Sequence, residues 1–201
     1  MMIKITTAIF LALFLTACSP SETEKISTPI KIQETISSTD ISDKVVTPKE
    51  ESTKPLLSIY TLDSKEIKVY ETTGGLTFEG YENREVFVVL FGYRCPPCLQ
   101  EMPNLIAIME KKYPDLTILA IEVQGLDSDA LEEFKARKGI NYTLAIGSDN
   151  NKFINYIASK AQWQGSIPFF LAFNKKGEVK VVHVGALSSK QLEAVYTDLQ
   201  K

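Results

Sequence analysis

The chain has one histidine, His183, and three cysteines, Cys18, Cys95 and Cys98. That scarcity argues against a zinc site. Tetrahedral zinc needs four protein ligands, or three and a water. No second C-x-x-C is present, and the histidine lies far along the chain from the cysteines. A charge excess is also missing: 22 Lys and Arg stand against 25 Asp and Glu, for a formal net charge of −3 and a pI near 5.4. A chain so balanced offers no electrostatic footprint for nucleic acid. The apolar run over residues 5–15 is shorter than the ~20 residues that cross a bilayer. What remains is ordinary and globular: 201 residues, 44% hydrophobic and 23% charged, enough for one domain and its appendages.

The N-terminus reads as a targeting segment. Lys4 supplies a short positive region ahead of the apolar run. Leu15-Thr16-Ala17-Cys18 resembles the lipobox of bacterial lipoproteins. That resemblance implies removal of residues 1–17, lipid attachment at Cys18, and a protein tethered outside the cytoplasmic membrane. It also accounts for the odd cysteine. The other reading is an ordinary signal peptide in which Cys18 is incidental. Residues 18–54 are rich in Ser, Thr, Glu, Lys and Pro and carry no aromatic residue. Their composition predicts a flexible, solvated tether.

The folded domain is expected over residues 55–201. Patterning predicts strands at 58–62, 66–71 and 76–78. Residues 86–91 are continuously apolar, as in a central strand covered on both faces. A helix is predicted over 99–113, with Pro103 kinking it and Pro114 ending it. A second buried strand is predicted at 116–123. Asp127 or Ser128 caps a helix closed by Gly139, and a short strand at 142–146 precedes a helix over 150–161. Strands at 169–173 and 179–184 enclose the Lys175-Lys176-Gly177 turn. Ser188 and Gln191 have the spacing of a capping box before a last helix. This order predicts an α/β fold, a central mixed sheet with helices on both faces.

Cys95-Pro96-Pro97-Cys98 sits between the apolar strand and the first helix. Strand, tight turn and helix make two cysteines a redox couple. Unpaired N–H groups and the positive end of the helix dipole favour a thiolate there. The two prolines suit the first helical positions but remove two donors. Arg94, next in sequence to Cys95, is a source of positive charge.

The domain resembles thioredoxin and, more narrowly, the TlpA/ResA-type thiol-disulfide oxidoreductases. Four features carry this: Cys95-Pro96-Pro97-Cys98 after an apolar strand; Pro103 five residues past the second cysteine; Ile167-Pro168 before a strand and hairpin; and Val184-Gly185-Ala186-Leu187-Ser188, similar to the thioredoxin C-terminal turn. Residues 126–151 match that type's extra βα insertion. The resemblance implies a thioredoxin-like fold and a redox-active disulfide between Cys95 and Cys98. Cys95 would exchange with the substrate and Cys98 would resolve the mixed disulfide. Glu101 falls where the family has an active-site glutamate, positioned to take a proton from Cys98. Ile167 and Pro168 would form a cis-proline loop that faces substrate backbone. The implied partners are protein thiols or disulfides and a membrane thiol-electron carrier, with no cofactor, no metal and no nucleic acid. The implied direction is reduction, often in cytochrome c maturation.

Two positions depart from the family. Arg94 stands where tryptophan is usual, and Val89 replaces thioredoxin's buried strand aspartate. A disulfide oxidant or isomerase, and a thiol-based metal carrier, are the alternatives. Trp163 is either core or groove. His183 is expected on a strand surface, and Glu122 is expected to face solvent at its strand end.

Overall fold

Every residue of the strand Glu85–Phe91 (β4) is buried, and it is the middle strand of a five-stranded sheet. Its side chains alternate between two apolar layers. Phe87, Val89 and Phe91 enter one core, while Val86, Val88 and Leu90 enter the other. This two-sided burial explains why the sequence runs apolar without alternation. The structure, a computed structural model, describes residues 54–111 and 113–201. Residues 1–17, Cys18 and most of the expected tether lie outside them.

In chain order the other elements are β1 Leu57–Tyr60, β2 Glu66–Glu71, β3 Leu76–Phe78, α1 Pro96–Glu110, β5 Leu116–Glu122, α2 Ser128–Lys138, β6 Thr143–Ile146, α3 Asn151–Ala161, β7 Phe169–Phe173, β8 Val179–Val184 and α4 Ser189–Leu199. The main sheet has the order β6-β5-β4-β7-β8. β4 pairs in parallel with β5 and antiparallel with β7, so the sheet is mixed. The first three strands form a separate antiparallel sheet.

One face of the main sheet carries α1, α2 and α4 through Met102, Leu105, Ile108, Phe134 and Leu192. The other face is covered by α3 and the small sheet, through Ile59, Ile67, Phe78, Phe153 and Ile157. Helices on both faces of a mixed sheet are therefore what the chain forms. Full burial of one such Phe or Ile contributes ~1.5–3 kcal/mol. Phe87 meets Phe170 edge-on, with ring centroids 4.9 Å apart.

Local signals set most helix ends. α1 begins at Pro96, three residues before its predicted start, because Pro96 and Pro97 occupy the first two helical positions. Pro103 does not end it; the helix runs through that exposed position. Asp127 caps α2 by accepting the N–H of Ala130, and Gly139 closes it at φ 65°. Ser188 and Gln191 form the expected capping box of α4. Among the described residues, no helix is long and apolar enough to cross a membrane.

His183 is half-buried on β8, whereas its neighbours Val182 and Val184 are 50% and 55% exposed. The exposed residues of this edge strand are Val179, Lys180, Val182 and Val184.

Candidate redox site

The site lies where β4 ends and α1 begins. Cys95 is the N-cap residue of α1, in extended backbone at φ −88° and ψ 110°. Cys98 follows one turn later. The two are joined by a disulfide with a Cα–Cα separation of 5.2 Å. Both cysteines are buried, Cys95 at 6% exposure slightly less so than Cys98 at 2%. The Cys98 N–H donates to Cys95 Sγ at 3.3 Å. In the dithiol form, that N–H and the helix terminus stabilise a thiolate on Cys95.

Ile167 and Pro168 lie opposite the disulfide. Their peptide bond is cis. Ile167 O stands 3.6 Å from Cys95 Sγ. A disulfide sulfur has no proton to donate, so this is a contact; a Cys95 thiol at that place has an acceptor. The loop is tied to the turn before α4 by the Gly185 N–H, which donates to Pro168 O at 2.9 Å.

Glu101 lies three residues past Cys98, on the same face of α1. It is 1% exposed, and its Oε1 accepts the Leu187 N–H at 2.9 Å. Burial pushes its carboxyl up to about 7, partly offset by that hydrogen bond. The Tyr142 phenol is pushed upward by its own burial and by the Glu101 charge. Glu101 is therefore poised to gain or lose a proton near neutral pH, one helical turn from Cys98.

Glu122 does not face solvent. It is fully buried at the end of β5. Its Oε1 accepts the N–H of Gln124 at 2.8 Å and faces that of Tyr93 at 3.4 Å. Its Oε2 accepts the N–H groups of Gly125 and Leu126, both at 2.9 Å. Strand-end N–H groups without a sheet partner need an acceptor, and the carboxylate supplies it. Gln124 completes the clamp, because its Oε1 accepts the Arg94 N–H at 2.9 Å. A Cβ at Gly92 would overlap the Gln124 side chain, so only glycine allows this approach. The sequence did hold a signal for this pair: a lone carboxylate ending an apolar strand, three residues before a glycine.

Trp163 is half-buried. Its Nε1 donates to Ser166 O at 2.6 Å, and its ring lies 5.5 Å from that of Phe169. It lines a cleft of about 670 Å³ with Val123, Gln124, Ile154, Gly165 and Ile167. Trp163 thus belongs to both the core margin and the groove beside the disulfide. Among the described residues, no group of three or more His, Cys, Asp or Glu side chains is placed to hold a metal ion.

A cysteine pair at a helix N-cap, a cis-proline loop opposite it and a mixed five-stranded sheet define a thioredoxin-fold protein with a dithiol–disulfide centre. The Redoxin family model matches residues 64–199, and the chain belongs to that family. It is 28% identical over 116 residues to the thiol-disulfide oxidoreductase ResA of Halalkalibacterium halodurans, covering 56% of this chain and 60% of that one. It is likewise 28% identical over 118 residues to ResA of Geobacillus kaustophilus, covering 56% and 62%. The matches thus span about 60% of the length of these curated relatives. Among solved structures, a thioredoxin-family thiol:disulfide interchange protein from Chlorobium tepidum superposes with a TM-score of 0.61 at 18% identity, covering 77% of this chain and 100% of that one. StoA from Bacillus subtilis superposes with a TM-score of 0.53 at 13% identity, covering 70% and 95%.

Proposed function

We propose that this protein is a thiol-disulfide oxidoreductase that exchanges its Cys95–Cys98 pair with protein substrates and works as a reductant. One observation carries the exchange reading: a disulfide whose Cys95 caps a helix and faces the Ile167 carbonyl. The relatives named thiol-disulfide oxidoreductase ResA support it.

In the reducing direction, the Cys95 thiolate attacks one sulfur of a substrate disulfide. A Cys95–substrate disulfide forms, and the other substrate sulfur leaves as a thiolate. Cys98 then loses its proton and attacks Cys95 Sγ, releasing the second substrate thiolate. Two electrons pass from the protein dithiol to the substrate. The proximity of the two cysteines makes the second step intramolecular. Glu101, with a carboxyl near 7, accepts the Cys98 proton. The Ile167–Pro168 loop offers backbone to the bound substrate chain.

A reductant outside the cytoplasm needs electrons from across the membrane, so a membrane thiol carrier is its supplier. The Leu15-Thr16-Ala17-Cys18 motif supports attachment through a lipid on Cys18, at the periplasmic or outer face. Cytochrome c maturation is a process that consumes such electrons.

The test is substrate trapping with Cys98→Ser. An oxidoreductase variant of this kind accumulates mixed disulfides through Cys95 when offered disulfide substrates, and a second change, Cys95→Ser, abolishes them. If no mixed disulfide forms with any substrate, the exchange mechanism is wrong.

A further inference from the structure

Four stretches of chain border the disulfide: residues 92–98, 123–126, 162–168 and 185–188. Contacts tie them to one another and to the site. The Arg94 N–H donates to Gln124, Ile167 O faces Cys95, the Gly185 N–H donates to Pro168 O, and the Leu187 N–H donates to Glu101. Across all four stretches there is one charged residue, Arg94. The exposed positions around it, including Pro96, Pro97, Gln164, Ser166 and Ala186, are neutral. The acids nearest in the site, Glu101 and Glu122, are buried with their carboxylates bound to backbone N–H groups. Within these stretches the surface beside Cys95 is neutral apart from Arg94, and the next exposed acid along the chain is Asp127, which caps α2.

The setting of Arg94 is built rather than incidental. The Glu122 carboxylate faces the Tyr93 N–H, and Gln124 takes the Arg94 N–H, so the backbone beside Cys95 is fixed by one side chain at the end of β5 and one just past it. The guanidinium lies 4.8 Å from the centre of the Tyr93 ring. Arg94 is exposed and makes no salt bridge among the described residues. A planar fork of N–H donors with an anchored base suits a carboxylate, which it can bind with two parallel hydrogen bonds.

We propose that Arg94 is a specificity-determining residue, which makes substrates with acidic residues flanking the reacting cysteine the preferred ones. The proposal rests on the oxidoreductase reading and names its substrate class. The bond changes are those of ordinary exchange: a Cys95–substrate bond forms, a substrate disulfide breaks, and the leaving sulfur departs as a thiolate. The guanidinium adds attraction for an anionic partner before any bond changes. The attraction is exposed to solvent, so salt screens it.

The test uses the full chain carrying Cys18→Ser, so that Cys95 and Cys98 are its thiols, reduced with dithiothreitol and then freed of it. Its oxidation is followed with two disulfide probes of opposite charge, oxidised glutathione (anionic) and cystamine (cationic). The readout is the ratio of the two rate constants. Arg94→Ala lowers that ratio roughly three- to tenfold, the scale of one exposed charge pair. Arg94→Lys, which keeps the charge but not the fork, retains only part of the ratio, and ~1 M salt removes the difference between wild type and Arg94→Ala. A ratio that Arg94→Ala leaves unchanged overturns the proposal while the exchange reading stands. Failure of the wild type to react with either probe overturns the oxidoreductase reading and this proposal with it.

Discussion

The Leu187 N–H donates to Glu101 Oε1 at 2.9 Å, which ties the turn before α4 to the helix bearing both cysteines. The same carboxyl is buried and pushed up to about 7. One residue therefore joins the architecture of the site to its proton chemistry.

A first consequence concerns stability. Glu101 ionises near the ordinary glutamate value of 4.5 when unfolded and near 7 when folded. Between those values the folded state holds the extra proton, so its contribution is fully present below about 4.5 and is lost as pH rises through about 7. The size is on the order of 3 kcal/mol. Urea unfolding of the oxidised protein, in which Cys95 and Cys98 do not titrate, should show wild type losing stability relative to Glu101→Gln over this window. Parallel curves would remove Glu101 as the titrating group.

On the proposed mechanism Glu101 also shapes the rate. The dithiol form should give a pH–rate profile for disulfide reduction with an inflection near 7, from the ionisation of this carboxyl. Glu101→Gln keeps the shape but cannot accept a proton, and should slow the resolving step ~10²-fold or more. Single-turnover release of the second substrate thiol measures this step. An unaltered inflection in Glu101→Gln would assign it to another group.

The buried Glu122 carboxylate accepts or faces four backbone N–H groups, those of Tyr93, Gln124, Gly125 and Leu126. In Glu122→Gln an amide keeps the shape, yet only one acceptor oxygen remains and an N–H₂ must face N–H donors. The expected cost is ~2–4 kcal/mol, since buried donors lose their partner. Denaturant unfolding measures it; a loss under ~0.5 kcal/mol would mean that water replaces the carboxylate without penalty.

Much of this was readable in the sequence because it depends on neighbours in the chain. The apolar run at residues 86–91, the two prolines after Cys95, the Gly139 stop and the Ser188–Gln191 box act over a few residues, and each appears where its chemistry requires. Ile167 approaches Cys95 across 72 residues of chain, and only the family resemblance indicated that meeting. Glu122 was misread because a charged residue ending a strand usually reaches water. Its partners include Tyr93, 29 residues earlier, and periodicity carries no trace of such a contact. The partition of β1–β3 into a separate sheet was hidden for the same reason: strand pairing is non-local.

The two sulfurs should also differ in reactivity. The Cys95 sulfur receives the Cys98 N–H at the helix cap, and Cys95 is the slightly less buried residue of the pair. In the reduced protein at neutral pH, iodoacetamide should modify Cys95 at least ~10-fold faster than Cys98, because thiolate content and access both favour it. Peptide mass analysis after brief labelling reads the ratio. Equal labelling would contradict the assignment of Cys95 as the attacking sulfur.

The central claim is that the Cys95–Cys98 pair gives electrons to its substrates. Its equilibrium redox potential, measured against glutathione or dithiothreitol buffers, tests this most directly. A value near or below about −250 mV is the predicted result, that of a reductant needing a dedicated electron supply. A value near about −120 to −180 mV would place the pair among oxidants and isomerases and contradict the reductant reading.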